Sequence, residues 1–154
     1  MSRRAEIVLS AAEVQGLLDE RRTLICATIG RDGWPHLMPL WYVVRDGECW
    51  SWTYARSQKV RNLERDPRCT VVVETGERYH ELRGVMFKAE CELVRDVEAV
   101  AAIGAEIAAR YDGGGALSDE MRAAMRKQAA KRVGLHFAVR VTTSWDHRKL
   151  AGGY

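Results

Sequence analysis

Most of the common catalytic signatures are missing from this chain. It has no Gly-x-Ser-x-Gly elbow, no P-loop and no Gly-x-Gly-x-x-Gly turn. The four histidines, His36, His80, His136 and His147, lack metal-ligand spacing. The four cysteines, Cys26, Cys49, Cys69 and Cys91, stand far apart with no Cys-x-x-Cys pair, so zinc and other metal sites are not expected. Each cysteine falls in an apolar or β-like stretch, which reads as a buried, reduced thiol of a cytoplasmic protein. No run approaches the roughly 20 apolar residues needed to span a membrane, and the charged residues 1–6 have no apolar stretch behind them, which argues against secretion. The net charge is only +3, the basic residues are interleaved with acids and no basic tail is present, so nucleic acid is not an expected partner. There is no internal repeat, low-complexity segment or linker. The 154 residues read as a single domain, 1–154, long enough to build its own core.

What the chain does have is β-patterning. Ser10 and Glu13 have capping-box spacing, and Val14, Leu17 and Leu18 give one apolar face, predicting a helix over 11–20. Residues 23–30 read as a buried strand, Arg31-Asp32-Gly33 as a tight turn and 35–44 as a second strand. Pro39 marks an edge or bulge in that strand, since it cannot donate to a ladder. Asp46-Gly47 turns the chain into a third strand, 48–54. A short helix, 57–66, is stopped by Pro67 and followed by a fourth strand, 68–75. In the next strand Val85, Phe87, Ala89, Cys91 and Leu93 alternate with Lys88, Glu90 and Glu92. Helices are expected over 96–111 and 118–131, and a last strand over 134–143, with Leu135, Phe137, Val139 and Val141 on one face. A polar tail with an aromatic at each end, Trp145 and Tyr154, closes the chain. The sum is a mainly β (α+β) fold: a six-stranded antiparallel barrel, closed or partly closed, with peripheral helices.

Chemistry is concentrated at the junction of the third strand and the short helix, residues 51–67. A hydroxyl-bearing strand end is followed by Arg56, Ser57 and Lys59 at a helix start. That start offers unpaired backbone N–H groups and a positive dipole, so the junction can hold an anion. Spacing alone also allows a solvated helix with Arg56, Lys59, Arg61 and Arg65 in water. The aromatics Trp41, Trp50, Trp52 and Tyr54 can equally line a core, an interface or a flat wall for a ring system.

The segments Thr28-Ile29-Gly30-Arg31-Asp32-Gly33-Trp34-Pro35-His36, Pro39-Leu40-Trp41-Tyr42 and Ser57-Gln58-Lys59-Val60-Arg61-Asn62-Leu63-Glu64-Arg65-Asp66-Pro67-Arg68 resemble the pyridoxamine-phosphate-oxidase-like superfamily of split β-barrels. Tyr79-His80-Glu81-Leu82-Arg83-Gly84-Val85 and Ser144-Trp145-Asp146-His147-Arg148-Lys149 are most similar to its flavin/deazaflavin oxidoreductases that use coenzyme F-420. The resemblance runs from about residue 9 to 150. It implies a homodimer with two cofactor sites at the interface and a small-molecule substrate. It places Ser57, Lys59 and Asn62 at the cofactor phosphate, with Arg56 beside them and Trp52 and Thr53 leading in. It lays Met38, Pro39, Leu40 and Trp41 along the ring and brings Arg83, Gly84, Val85 and Met86 from the other subunit. Trp145 and Lys149 are further candidates.

The longer N-terminal part and the arginine-bearing substrate motif of the true oxidase are not visible. Oxidation of pyridoxamine phosphate is therefore not the expected reaction. Hydride transfer from reduced coenzyme F-420 to a small conjugated acceptor is the leading expectation, since the cofactor then carries the hard step. FMN-dependent oxidoreduction is the alternative cofactor reading. A non-catalytic cofactor- or haem-binding module is the alternative of another class. No catalytic residue is assigned; Tyr42, Tyr79 and His80 are the candidates for proton delivery.

Overall fold

The computed structural model describes residues 3–150. Met1 and Ser2 of the charged opening and Tyr154 of the expected tail lie outside the described residues. Helices α1 (Arg3–Glu6) and α2 (Ala11–Glu20) precede the first strand. The strands are β1 (Thr23–Ile29), β2 (Pro35–Trp41), β3 (Val43–Arg45), β4 (Glu48–Tyr54), β5 (Arg68–Thr75), β6 (Arg83–Val94) and β7 (Arg132–Asp146). Helix α3 (Gln58–Arg65) links β4 to β5, while α4 (Val97–Tyr111) and α5 (Asp119–Ala129) form an excursion between β6 and β7. No helix of the described residues is long and apolar enough to cross a membrane.

All strand pairs are antiparallel, in the order β2-β1-β5-β6-β7-β4-β3. The two edges of this order are consecutive in the chain. The sheet curls until the end of β2 meets β4, where Ser51 Oγ donates to the Trp41 carbonyl at 2.6 Å. The barrel is therefore split between β2 and β4. Alternate side chains fill it: Leu24 and Cys26, Cys49 and Ser51, Val71 and Val73, Val85 and Phe87, Leu135 and Phe137 are all buried. The four cysteines are buried free thiols, and burial pushes the Cys49 thiol up to about 12.

Seven strands stand where six are expected, and Tyr42 is the reason. Its ring is fully buried, with its hydroxyl 2.7 Å from the Leu18 carbonyl and 3.1 Å from that of Arg21. Its N–H donates to Tyr111 Oη at 3.2 Å instead of to a strand. The single strand expected over 35–44 is thereby cut in two, and its second half pairs with β4 across the turn at Asp46 (φ 51°) and Gly47 (φ 78°). A second departure lies in β7. Lys88 pairs with Val141 but Ala89 with Val139, so Arg140 is an extra, bulged residue. The bulge flips the expected alternation, and Val141 faces outward, 51% exposed.

The excursion covers the flank of the barrel. Asp96 caps α4 by accepting from Ala99 N–H at 2.9 Å. Ile103 and Ile107 pack with Val43, Trp50 and Trp52, and Gly104 leaves room for the Trp52 ring, with which any Cβ would collide. At the end of α4, the Arg110 guanidinium lies over the Tyr42 ring, 4.5 Å from its centroid. It donates to the carbonyls of Leu18 (2.6 Å), Arg21 (2.8 Å) and Tyr42 (2.7 Å). These are the orphan acceptors at the end of α2 and at the β2–β3 break. Arg110→Met keeps the stem and removes the donors. It should cost about 2–4 kcal/mol in urea unfolding and lower the melting temperature by roughly 5–15 °C. A change within about 0.5 kcal/mol would show that water replaces the guanidinium at no cost.

Candidate functional site

The site begins with α3. Val60 and Leu63 anchor the helix in the core, but the same inward face also carries Lys59 and Asn62, both buried. Asn62 is committed. Its Nδ2 donates to Thr28 Oγ1 at 3.0 Å, and its Oδ1 accepts from Gln58 Nε2 at 2.9 Å. The Lys59 ammonium donates to Thr53 Oγ1 at 3.1 Å and faces Cys26. No carboxylate neutralises it among the described residues. Burial pulls its pKa below the ordinary lysine value, with Cys26 opposing weakly.

Ser57 occupies the N-cap of α3 with extended backbone but makes no capping hydrogen bond. Its Oγ is buried without a hydrogen-bond partner. A buried cation, an unused hydroxyl and a helix start therefore fall within three consecutive residues, 57–59, and all three favour an oxyanion. Across from α3, the β1–β2 hairpin forms the other wall of a groove of about 500 Å³ that includes Trp34, His36, Gln58 and Asn62. His36 Nδ1 is likewise buried without a partner.

Beyond the cradle, β2 presents Met38 (41% exposed), Pro39 and Trp41 (57% exposed), whereas Leu40 turns toward the core. The Trp41 indole stacks on Tyr111 of α4 at 4.3 Å and 14°. The structure thus brings together Thr53, Ser57, Lys59 and Asn62, with Met38 opposite Cys26 in the β1–β2 ladder. Arg56 is exposed on the adjoining turn.

Other expected residues lie apart from this group within one chain. Trp52 points to the outside of the barrel, against α4, with Arg132 Cζ 4.3 Å from its ring centroid. Arg83 is paired with Glu20 at 2.6 Å. Val85 is fully buried in the core, Gly84 packs under the Trp145 ring and Met86 is half-buried. Lys149 donates to Glu13 and to the Val8 carbonyl. Tyr42 is withdrawn from proton delivery: burial raises its pKa, and its hydroxyl is held by carbonyls. Tyr79 tilts against His147, and His80 lies exposed beside Glu81. His136 bridges Glu48 (2.6 Å) and Glu92 (2.9 Å). Burial opposes its charge, but these bonds prevail and hold its pKa above the ordinary value. The reading from sequence did not place Thr28, Gln58 or His36 at the site. The period of β2 carried the signal for His36, since it shares a face with Met38 and Leu40.

Residues 10–145 match the family model described as pyridoxamine 5'-phosphate oxidase. Among solved structures, a conserved hypothetical protein from Mycobacterium tuberculosis is 43% identical with a TM-score of 0.88, covering 99% of this chain and 98% of its own. An F-420 reductase is 21% identical, TM-score 0.63, with 83% and 94% covered. A haem storage protein from Vibrio cholerae is 18% identical, TM-score 0.66, with 88% and 95% covered. The last two likenesses show the fold alone. No curated protein matches this chain by sequence.

An ammonium buried without a countercharge has a measurable signature. Between its depressed folded pKa and the ordinary value near 10.4, the unfolded chain binds more protons than the folded one, so stability rises with pH across that window. In ligand-free protein, Lys59→Met should raise the melting temperature at neutral pH by roughly 2–4 °C for each kcal/mol recovered. That advantage should shrink as pH climbs toward the ordinary lysine value. A loss of stability that persists across the whole pH range would instead mean that the Thr53 contact outweighs the cost of the buried charge.

Proposed function

Because the chain belongs to the pyridoxamine 5'-phosphate oxidase family of flavin-binding split barrels, we propose that it is an oxidoreductase that uses reduced coenzyme F-420 to reduce a small conjugated organic acceptor. The observation that carries this reading is the buried Lys59 ammonium without a carboxylate, next to the unpartnered Ser57 hydroxyl at the start of α3. A phosphate oxyanion fits such a donor set, because it supplies both the missing charge and the missing acceptor.

In this reading Lys59 and Ser57 bind the cofactor phosphate. Thr53 and Asn62 hold the lysine and the helix in place, and Arg56 adds charge from the turn. Met38 and Trp41 offer exposed apolar surface along β2 for the ring, with Pro39 between them and Leu40 packed beneath against the core, while Trp52 backs β4 against α4. When bound, the reduced deazaflavin supplies a hydride, so the chain's own task is to bind, orient and exclude water. FMN carries a phosphate too and is the competing cofactor. For the haem-binding alternative only His36 and His80 offer an uncommitted ring, because both ring nitrogens of His136 are engaged by carboxylates and His147 Nδ1 by the Tyr79 carbonyl. Buried reduced thiols agree with a cytoplasmic location.

A homodimer completes the reading, with Arg83 and Met86 of β6 reaching the cofactor of the second subunit, while Val85, buried in its own core, supports that strand from within. The outer face of the sheet supports it. Leu37 (57% exposed) and Val141 (51%) flank a cleft of about 460 Å³ that includes Ala27, Ile29 and Thr70. Arg68, Lys88, Glu90 and Arg140 also line it, so the apolar residues form a patch bordered by charges, as interfaces often do.

Titration with coenzyme F-420, followed by quenching of its fluorescence, should give saturable binding, weakened about 10- to 100-fold in Lys59→Ala. Binding no tighter than millimolar would remove this reading. Tighter binding of FMN, with a yellow protein as purified, would reassign the cofactor. Light scattering should give twice the chain mass of 17.4 kDa, and Val141→Arg should shift the protein toward monomer. A wild-type monomer at micromolar concentration would sink the shared-site arrangement.

A further inference from the structure

We propose that His36 completes the phosphate cradle from the β2 side, its Nδ1–H donating to a phosphate oxygen of the bound cofactor. The inference rests on the cofactor reading above and adds to it a residue that neither the motif of α3 nor its charge pattern contains. More than nine in ten buried polar groups in folded proteins have a hydrogen-bond partner. Among the described residues, only three buried side-chain nitrogen or oxygen atoms lack one: Ser57 Oγ, His36 Nδ1 and Arg132 Nε. Ser57 caps α3, and His36 is linked to the same helix through Thr28 and Asn62.

His36 pairs with Thr28 across the β1–β2 ladder. Thr28 Oγ1 takes the Asn62 Nδ2 hydrogen bond at 3.0 Å and lies 3.5 Å from the His36 carbonyl. A short chain of contacts thus runs from His36 through Thr28 to α3. Between these walls lies the groove of about 500 Å³, with His36 on one side and Gln58 and Asn62 on the other. Ser57 caps α3 and Lys59 lies in its first turn, while His36 stands on the facing hairpin wall of the groove that Gln58 and Asn62 of the same helix line.

The electrostatics agree. The charged groups lining the groove are Arg31 and Asp32. The Asp32 carboxylate is occupied in the hairpin turn, where Oδ1 accepts the Trp34 N–H at 3.1 Å. Pro35 fixes the backbone just before His36 and adds no competing donor. An imidazole held there with an unused nitrogen is preorganised for a ligand oxygen.

The test separates the phosphate from the ring. Deaza-FMN and deazariboflavin differ only by the phosphate. His36→Leu should weaken deaza-FMN about tenfold and leave deazariboflavin within about twofold. His36→Asn places an amide where Nδ1 stands and should recover affinity to within about threefold, whereas His36→Gln, which mimics the other ring nitrogen, should not. Equal losses for both ligands, or equal behaviour of Asn and Gln, would overturn the assignment. If the leucine variant fails to fold, the Asn and Gln pair carries the test.

If the wild type binds neither these ligands nor coenzyme F-420, the cofactor reading falls, and His36 is then judged by inorganic phosphate. A saturable movement of its Nδ1 NMR resonance supports the assignment, and a resonance that stays fixed refutes it.

Discussion

An uncompensated ammonium in the split of the barrel is the constraint around which the rest is arranged. Burying a charge without a partner is costly. Here the start of α3 adds positive potential of its own, so helix and lysine point the same way. The fold tolerates this because the surroundings of Lys59 are rigid. Thr53 is fixed in the β4–β7 ladder, Asn62 is tied to Thr28, and Val60 and Leu63 pin the helix from the core. Each of these contacts does little for the lysine's charge. What they do is prevent the lysine from escaping to water.

The site has two ends, set by two different parts of the chain. Ser51 holds the Trp41 carbonyl, and Thr53, two residues further along β4, holds Lys59. The cationic end and the aromatic end are thus about 7 Å apart along the strand. The barrel supplies the cationic end. The aromatic end depends on the excursion, because Tyr111 stacks on Trp41 and Arg110 fixes the carbonyls where β2 stops. The helices between β6 and β7 are accordingly part of the wall of the split, as well as a cover for Trp50 and Trp52.

Where a segment's own periodicity decides its structure, the sequence was sufficient. The α2 capping box, the Asp46-Gly47 turn and the alternation of β6 all form as their spacing predicts. The misreadings share one cause: a distant partner overrides a local pattern. Nothing within residues 35–44 reveals that Tyr42 is claimed by the end of α2 and by Tyr111, so the strand break was illegible. The bulge at Arg140 follows from the register against β6, which no window of β7 contains. At the site, Ser57 and Lys59 were legible as candidates, since charge and helix position allowed an anion site or a solvated helix and the resemblance singled these two out. Their neighbours Thr28 and His36 come from another hairpin and were not. Asn62, which the motif marks as a ligand, spends its amide on Thr28 and Gln58.

The place of β7 in the strand order bears on how the molecule assembles. It is the last strand of the chain, yet it lies between β6 and β4 and pairs with both. Until residues 132–146 are synthesised, the hairpin of β3 and β4 has no ladder partner beyond itself, and β6 keeps an open edge. The first half of the chain therefore waits in a sticky, half-paired condition while the second emerges. Closure needs pairing between residues far apart in the chain, the kind of contact that slows folding. Lys88, Glu90 and Glu92 lie along the β6 edge that waits for β7, which suits them to discourage pairing with a neighbouring chain during that interval.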